Sequence, residues 1–206
     1  MKIEIAYFKQ SDDTHCFQAC LKMVLKYFFP EKDFTYEELD KITDKPKDKW
    51  TWCCAALVEL KNMGLKVNFY SNFDYEQFIR SGAAYVRKKY DKEIAKKTIE
   101  MSDIESEIKN AKEMIKENIY ELKEVPFKNI EEWFKENYII ILLINSKMIN
   151  KKPGFAGHFV VITGTDKNNV YVHDPGINDG SPNRKVEKDL FIKAWKYQRL
   201  VILIKK

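Results

Sequence analysis

A cysteine at the start of an apolar helix is the first candidate for chemistry in this sequence of 206 residues. Cys16 follows Gln10 by six positions in the segment QSDDTHCFQAC, and the apolar run LKMVLKYFF comes soon after it. The N-terminus of a helix carries a partial positive charge and unpaired N–H groups, and both favour a thiolate over a thiol. Cys16 is therefore a candidate nucleophile and Gln10 a candidate donor to an oxyanion. The alternative is that Cys16 is a small buried residue in a helix start.

A histidine and an aspartate near the end of the chain could serve as partners for this cysteine. The segment GHFVVITGTDKNNVYVHDPG predicts a β-hairpin, with His158 where the first strand begins and Asp174 where the second strand ends. We take Thr165 and Val170 to lie opposite each other. In that register Asp174 falls opposite Val161, and a β-bulge would bring it closer to His158. His158 could then act as a general base, with Asp174 fixing its tautomer and orientation.

The other histidines and cysteines are weaker candidates. His173 is next to Asp174, but strand alternation turns its side chain to the opposite face. His15 precedes Cys16 and would point elsewhere on a helix. The remaining cysteines are expected to be packed inside the protein: Cys20, Cys53 and Cys54. The adjacent pair lacks the C-x-x-C spacing of a zinc site, so we predict no metal and no cofactor.

The periodicity of apolar residues predicts the elements that would hold these side chains. Apolar positions recur every three or four residues over 19–28 and indicate a core helix that Pro30 ends. A second helix is predicted over 52–63, followed by Gly64. The later predictions are a strand at 66–70, a helix at 73–79, and strands at 138–144, 158–163, 170–173 and 200–204. Helices first and antiparallel strands last make an α+β fold.

A stretch without glycine or proline interrupts this plan at about residues 83–124. Apolar residues recur there every seven positions among lysines and glutamates, which predicts an amphipathic helical insertion. The pattern Ser102-Asp103-Ile104-Glu105 is typical of a capping box and predicts a break near Ser102 with a helix on either side. The sequence leaves three roles open for this insertion: packing against the core of its own domain, covering a substrate groove, or forming a homo-oligomer contact.

Length, charge and hydropathy limit the class of protein. With 206 residues, of which 45% are hydrophobic, we expect one domain spanning residues 1–206. The 36 basic and 31 acidic residues are interleaved, which indicates a solvated surface and argues against a nucleic-acid partner. The N-terminus lacks a secretory signal, and no apolar run approaches the roughly 18 residues of a membrane span. We therefore expect a cytoplasmic protein with no membrane partner.

These residues resemble the papain-like cysteine peptidases of the bacteriocin-processing type, which trim double-glycine leader peptides. The resemblance lies in Gln10 and Cys16, in Gly157-His158-Phe159 before an aliphatic strand, and in Asp174-Pro175-Gly176. Cys16 and His158 are also roughly 140 residues apart, and papain-type enzymes separate these residues by about 130 to 150. The resemblance implies a papain-like α+β fold. It also implies a catalytic set of Cys16, His158, Asp174 and Gln10 that acts on a peptide or protein substrate.

The sequence departs from this family beside the cysteine and in the insertion. His15 and Phe17 stand where the family usually has aspartate and glycine. The sequence contains no G-x-x-x-x-G-K-[ST] phosphate loop, so we expect no transporter fused to this peptidase-like chain. Three functions stay open. The first is hydrolysis of a peptide or isopeptide bond through an acyl-enzyme, for which glycine at the cleaved position would suit a narrow cleft. The others are acyl transfer at the same site and a non-catalytic peptide-binding or regulatory module.

Overall fold

The structure is a computed structural model that describes residues 2–197 and 199–206. Its helices are α1 Cys16–Phe28, α2 Tyr36–Ile42, α3 Cys54–Asn62, α4 Tyr75–Ser81, α5 Ala83–Lys89, α6 Lys92–Glu100, α7 Ile104–Lys116, α8 Phe127–Lys135, α9 Ser146–Ile149 and α10 Lys188–Trp195. Its strands are β1 Lys66–Ser71, β2 Tyr120–Leu122, β3 Ile139–Asn145, β4 Gly157–Thr165, β5 Asn169–His173, β6 Arg184–Glu187 and β7 Val201–Lys205.

The strands form a mostly antiparallel sheet in the order β2-β1-β7-β3-β4-β5-β6. The pairing of β1 with β2 is parallel, and the other pairings are antiparallel. The apolar run of β3 is buried on both faces of the sheet. Ile139 and Ile141 contribute to one apolar cluster, which includes α1 and α3, whereas Ile140 and Leu142 contribute to the cluster that includes α8 and α10. This arrangement confirms the predicted α+β fold with N-terminal helices packed on the sheet.

Helix α1 is a buried core helix that packs its first turn against β4. Its apolar residues from Phe17 to Leu25 are almost all buried, which explains why a helix forms at this position. The ring of Phe17 lies 4.7 Å from the ring of Phe159, measured between centroids. This contact holds the N-terminus of α1 beside the start of β4. No helix among the described residues is long and apolar enough to span a bilayer.

The predicted insertion forms α5, α6 and α7 and packs on the apolar cluster that contains α1. Ala95, Ala111 and Met114 are buried in the cluster that contains α1. The predicted break lies between α6 and α7, but Asp103 is the residue that caps α7, by accepting a hydrogen bond from the Ser106 N–H at 3.2 Å. A further break separates α5 from α6.

Two details of the predicted insertion are wrong. Ser102 does not cap α7, because its hydroxyl is buried and accepts a hydrogen bond from the indole N–H of Trp52 at 2.9 Å. Residues 120–122 are also not helical, since they form β2 and pair with β1, with Phe69 opposite Tyr120. The edge of β1 presents unpaired backbone N–H and C=O groups, and residues 120–122 pair with them.

Glu107 is a buried carboxyl group in the face of α7 that packs on α3. Its side chain is 3% exposed. Burial raises the pKa of Glu107 to about 8, although a backbone N–H of Trp52 donates to the carboxylate and opposes this rise. Asp44 and Asp103 add repulsion that also raises the pKa. At neutral pH the group is therefore mostly protonated.

We expect the free energy of unfolding to fall as the pH rises from about 5 to about 8 because of Glu107. An acid whose pKa is raised by folding keeps its proton in the folded state while the unfolded chain ionises, so unfolding becomes easier. A rise from 4.5 to about 8 corresponds to at most about 5 kcal/mol. Urea unfolding at pH 5, 7 and 9 should show a smaller decrease for Glu107→Gln than for the wild type. Glu105→Gln, an exposed site on the same helix, should keep the wild-type decrease. Equal decreases in wild type and Glu107→Gln would contradict this assignment.

Candidate active site

The hairpin of β4 and β5 brings His158 and Asp174 into contact. Thr165 lies opposite Val170, as predicted. A β-bulge after Ile162 then shifts the pairing by one residue, so that Asp174 comes one position nearer to His158 than regular pairing would allow. The Nε2 atom of His158 lies 2.7 Å from the Oδ1 atom of Asp174. The carboxylate can therefore fix the tautomer and the orientation of the imidazole.

Cys16, the first residue of α1, is hydrogen-bonded to the imidazole of His158. Because Nε2 of His158 is occupied by Asp174, Nδ1 is the ring atom left for the sulfur. The backbone N–H groups of Phe159 and Phe17 also donate to the sulfur. Burial raises the pKa of the Cys16 thiol, but the bond and charge of His158 and the two N–H groups outweigh it and lower the pKa below its ordinary value. The site therefore favours a thiolate.

His158 is correspondingly stabilised in its charged form. Burial lowers its pKa, because an imidazolium loses hydration inside the protein. The hydrogen bond that His158 donates to Asp174, together with the bond and charge of Cys16, acts in the opposite direction and is stronger, so the pKa of His158 is raised. A lowered thiol pKa beside a raised imidazole pKa favours the thiolate–imidazolium pair at neutral pH.

The carboxylate of Asp174 is buried and accepts three hydrogen bonds. Besides His158, the donors are the backbone N–H of Gly176 at 3.0 Å and Nη1 of Arg184 at 2.7 Å. Burial raises the pKa of Asp174, but these donors lower it further than burial raises it. The loop that follows is tight: a Cβ added at Gly180 would lie 2.5 Å from the carbonyl oxygen of Asp174. Glycine at this position therefore permits the close approach.

Arg184 is a site residue that sequence reasoning missed. It lies on β6 opposite Val172, which places it beside the end of β5. Its guanidinium is also held by the side chain of Asn150 and, at 3.2 Å, by the carbonyl oxygen of Asp179. The sequence carried little signal for this contact, because β6 was not among the predicted strands and Arg184 lies in no recognised motif.

Gln10 lies beside the segment that follows Asp174. Its backbone N–H donates to the carbonyl oxygen of Pro175 at 2.9 Å. The side chain is 9% exposed, and its Oε1 atom has no hydrogen-bond partner among the described residues. Contacts within the described chain therefore leave the carbonyl oxygen of the Gln10 side-chain amide without a donor. A role for Gln10 in an oxyanion hole stays a prediction.

The other histidines have partners away from the thiol. His173 donates from Nε2 to the carbonyl oxygen of Ile5 at 2.8 Å and accepts at Nδ1 from the backbone N–H of Asn183 at 3.0 Å. Burial lowers the pKa of His173. The ring nitrogens of His15 lie 2.7 Å from Asp12 and 3.1 Å from Asp40.

The remaining cysteines are buried and not paired in disulfides: Cys20, Cys53 and Cys54. Burial raises the pKa of Cys20 and of Cys54 well above the ordinary value. These two thiols are therefore kept neutral, in contrast to Cys16. Within residues 2–197 and 199–206, no cluster of three or more histidine, cysteine or acidic residues is placed to hold a metal ion.

Solved peptidase structures share this fold. The peptidase domain of Streptococcus ComA, described as a bi-functional ABC transporter involved in a quorum sensing pathway, superposes with a TM-score of 0.55 at 14% identity, covering 96% of each chain. A double glycine motif protease from an AMS/PCAT transporter, in complex with the leader peptide, gives 0.52 at 15% identity, covering 100% of this chain and 94% of that chain. A C39-like peptidase of Bacillus anthracis gives 0.50 at 14% identity, covering 99% and 98%. The fold is therefore the papain-like fold of these peptidase domains.

The family follows from the sequence of almost the whole chain. The model of the Peptidase_C39-like family matches residues 2–201. The chain belongs to this family, and the resemblance inferred from its motifs is confirmed. No curated protein matches the chain.

Proposed function

We propose that this protein is a thiol hydrolase that cleaves a peptide or isopeptide bond through an acyl-enzyme on Cys16. The observation that carries the proposal is the hydrogen-bonded series from Cys16 through His158 to Asp174. A nucleophile with a lowered pKa, a base in contact with it and a carboxylate that orients the base are the parts that acyl transfer requires. The leader peptide bound to the related double glycine motif protease supports a peptide substrate.

The first half of the reaction forms a thioester. The Cys16 thiolate attacks the carbonyl carbon, a carbon–sulfur bond forms, and the electron pair of the carbonyl π bond moves to the oxygen. Gln10 and the backbone N–H of Cys16 donate to this oxyanion. When the oxyanion collapses, the carbon–nitrogen bond breaks, and the leaving nitrogen takes the proton of the His158 imidazolium.

The second half returns the enzyme to its starting state. Neutral His158 accepts a proton from a water molecule as that water attacks the thioester, and Cys16 leaves as a thiolate with the electron pair of the carbon–sulfur bond. The product is a carboxylic acid. If an amine replaces the water, the product is a new amide, and the same residues catalyse acyl transfer.

The two departures from the family pattern beside the cysteine leave the thiol accessible to this chemistry. Phe17 is 1% exposed and packs inward on Phe159. His15 is directed to Asp12 and Asp40. Neither side chain takes the place of a catalytic group. This placement favours an enzyme over a module that only binds peptides.

The proposal is tested by the new peptide termini that the protein generates in a complex peptide mixture. We expect the wild type to produce a defined set of termini and Cys16→Ser to lower their rate of formation by at least about 1000-fold. Cys20→Ala, one turn further along α1, removes a thiol that the mechanism does not use and should retain the activity. Adding an amine tests for acyl transfer, since a transferase would yield the amide product. The same termini from Cys16→Ser, or none from the wild type together with no thioester adduct, would favour a binding module.

A further inference from the structure

A cavity with an aromatic wall opens beside Cys16. Its volume is about 140 Å³, and Cys16 is one of the residues that line it. The lining includes six aromatic side chains besides the two next to the reacting groups: Trp50, Trp52, Phe73, Tyr75, Tyr90 and Phe155. An apolar cavity of about 150 Å³ accommodates a benzene ring. The space beside the thiol is therefore suited to one large apolar group.

Contacts among the aromatic rings hold the wall in place without a ligand. Trp52 stacks on Phe78 at 5.0 Å, and its indole N–H donates to Ser102 at 2.9 Å. Phe73 contacts the rings of Tyr75 and Tyr90 at 4.8 and 6.2 Å. Side chains that are fixed by neighbours lose little entropy when a ligand binds, so this wall is preorganised.

The helical insertion forms one side of the cavity. Tyr90 lies at the end of α5 and Thr98 lies on α6, and both residues line the space. The opposite side comes from the sheet, through Leu143 of β3 and Gly157 of β4, which immediately precedes His158. The insertion therefore limits the size of any group that reaches Cys16 from this direction.

The position of the cavity relates it to one half of the substrate. A carbonyl carbon attacked by Cys16 has four substituents: the sulfur, the oxyanion, the leaving nitrogen and the remainder of the acyl group. In the proposed mechanism the leaving nitrogen faces His158 and the oxyanion faces Gln10. Neither of these residues lines the cavity. The remainder of the acyl group is therefore the substituent that can enter the cavity.

We propose that this cavity is a specificity pocket for a large apolar side chain, of the size of phenylalanine, within the two acyl-side residues next to the cleaved bond. The inference rests on the proposed function. It departs from a double-glycine substrate, because two glycines would leave the aromatic wall without a contact. The pocket makes apolar contact with the acyl group the main source of discrimination between substrates.

The test uses three dipeptidyl acyloxymethyl ketones that carry Gly-Gly, Phe-Gly or Gly-Phe. The Cys16 sulfur bonds to the methylene carbon and the carboxylate leaves with its electron pair, so labelling adds a fixed mass to the intact protein. We expect one of the two phenylalanine probes to label wild-type Cys16 at least about tenfold faster than the Gly-Gly probe, judged by kinact/KI.

Two phenylalanine substitutions on α6 make a matched pair for this measurement. Thr98→Phe places a ring in the cavity and should lower the ratio of the phenylalanine rate to the Gly-Gly rate by about tenfold or more. Lys96→Phe places the same ring at a solvent-exposed position of the same helix and should leave all three rates unchanged. Equal rates for the three probes on the wild type, or an unchanged ratio in Thr98→Phe, would overturn the pocket and leave the proposed function standing.

A binding measurement separates failure of the pocket from failure of the proposed function. If no probe labels Cys16, the proposed function is wrong, and the pocket is judged on Cys16→Ser by NMR. If the pocket binds a large apolar side chain, N-acetylphenylalaninamide should shift the indole N–H signals of Trp50 and Trp52, and N-acetylglycinamide should not. If the two compounds have the same effect on these signals, the pocket is overturned as well.

Discussion

Alkylation of Cys16 by iodoacetamide is expected to have a midpoint at a pH well below the value of about 8.5 that is typical of a free thiol, and His158→Ala is expected to abolish this shift. We expect the thiolate–imidazolium pair to predominate at pH values above the lowered pKa of Cys16 and below the raised pKa of His158. Without the imidazolium, the backbone N–H groups of Phe17 and Phe159 are left to oppose burial, so the pKa of the thiol should return toward its ordinary value. A thiol that titrates near 8.5 is about 1% ionised at pH 6.5, so the rate there should fall by roughly 100-fold. Mass spectrometry of the Cys16 peptide measures the rate at each pH.

The control for this prediction is His15→Ala. His15 is next to Cys16 in sequence, but its ring is directed to Asp12 and Asp40. This variant should therefore keep the low midpoint. Above about pH 9 the rates of wild type and His158→Ala should approach each other, because the thiol ionises in both proteins. If the two proteins have the same midpoint, the proposed ion pair does not exist, and Cys16 is a packed helix residue.

The hairpin was predictable because local rules determine most of its geometry. Strand alternation, a turn-rich connection and the assumed pairing of Thr165 with Val170 placed His158 and Asp174 at the same end of the sheet. The structure has that pairing, and the bulge after Ile162 supplies the remaining shift. The position of a bulge depends on backbone packing, which strand periodicity does not report.

The surroundings of the site were less accessible to sequence reasoning, because they depend on contacts between distant segments. Arg184 reaches Asp174 only because β6 pairs with β5. The aromatic cavity combines residues from the segments near 50, 73, 90 and 155. Heptad spacing predicted the helices of the insertion, but it could not show that Tyr90 and Thr98 border the space beside Cys16. Residues 120–122 became a strand because an edge of the sheet was available to them.

Asp174→Asn is expected to lower the free energy of unfolding by about 3–5 kcal/mol, because it removes one partner of a buried ion pair. The carboxylate accepts from His158, Gly176 and Arg184. An amide has a single accepting oxygen, so its NH₂ group must face His158 or Arg184, both of which donate. The pKa of His158 should fall in this variant, since the hydrogen bond that His158 donates to the Asp174 carboxylate is a main cause of its rise. Urea unfolding and NMR titration of His158 measure the two effects.

A double-mutant cycle with Arg184→Met separates the structural part of this effect from the part that concerns the imidazole. In Asp174→Asn/Arg184→Met the guanidinium no longer faces an uncharged amide, so we expect about 1–3 kcal/mol of the loss to be recovered. The pKa of His158 should stay low, because Arg184 does not contact the imidazole. Asp179→Asn is the matched control: its exposed carboxylate pairs with Lys152 at 2.9 Å, and its loss should cost at most about 1 kcal/mol. If the effects of the two substitutions on the free energy of unfolding are simply additive, Arg184 does not stabilise the charge of Asp174. The pKa of His158 would then depend only on the contact between Asp174 and His158.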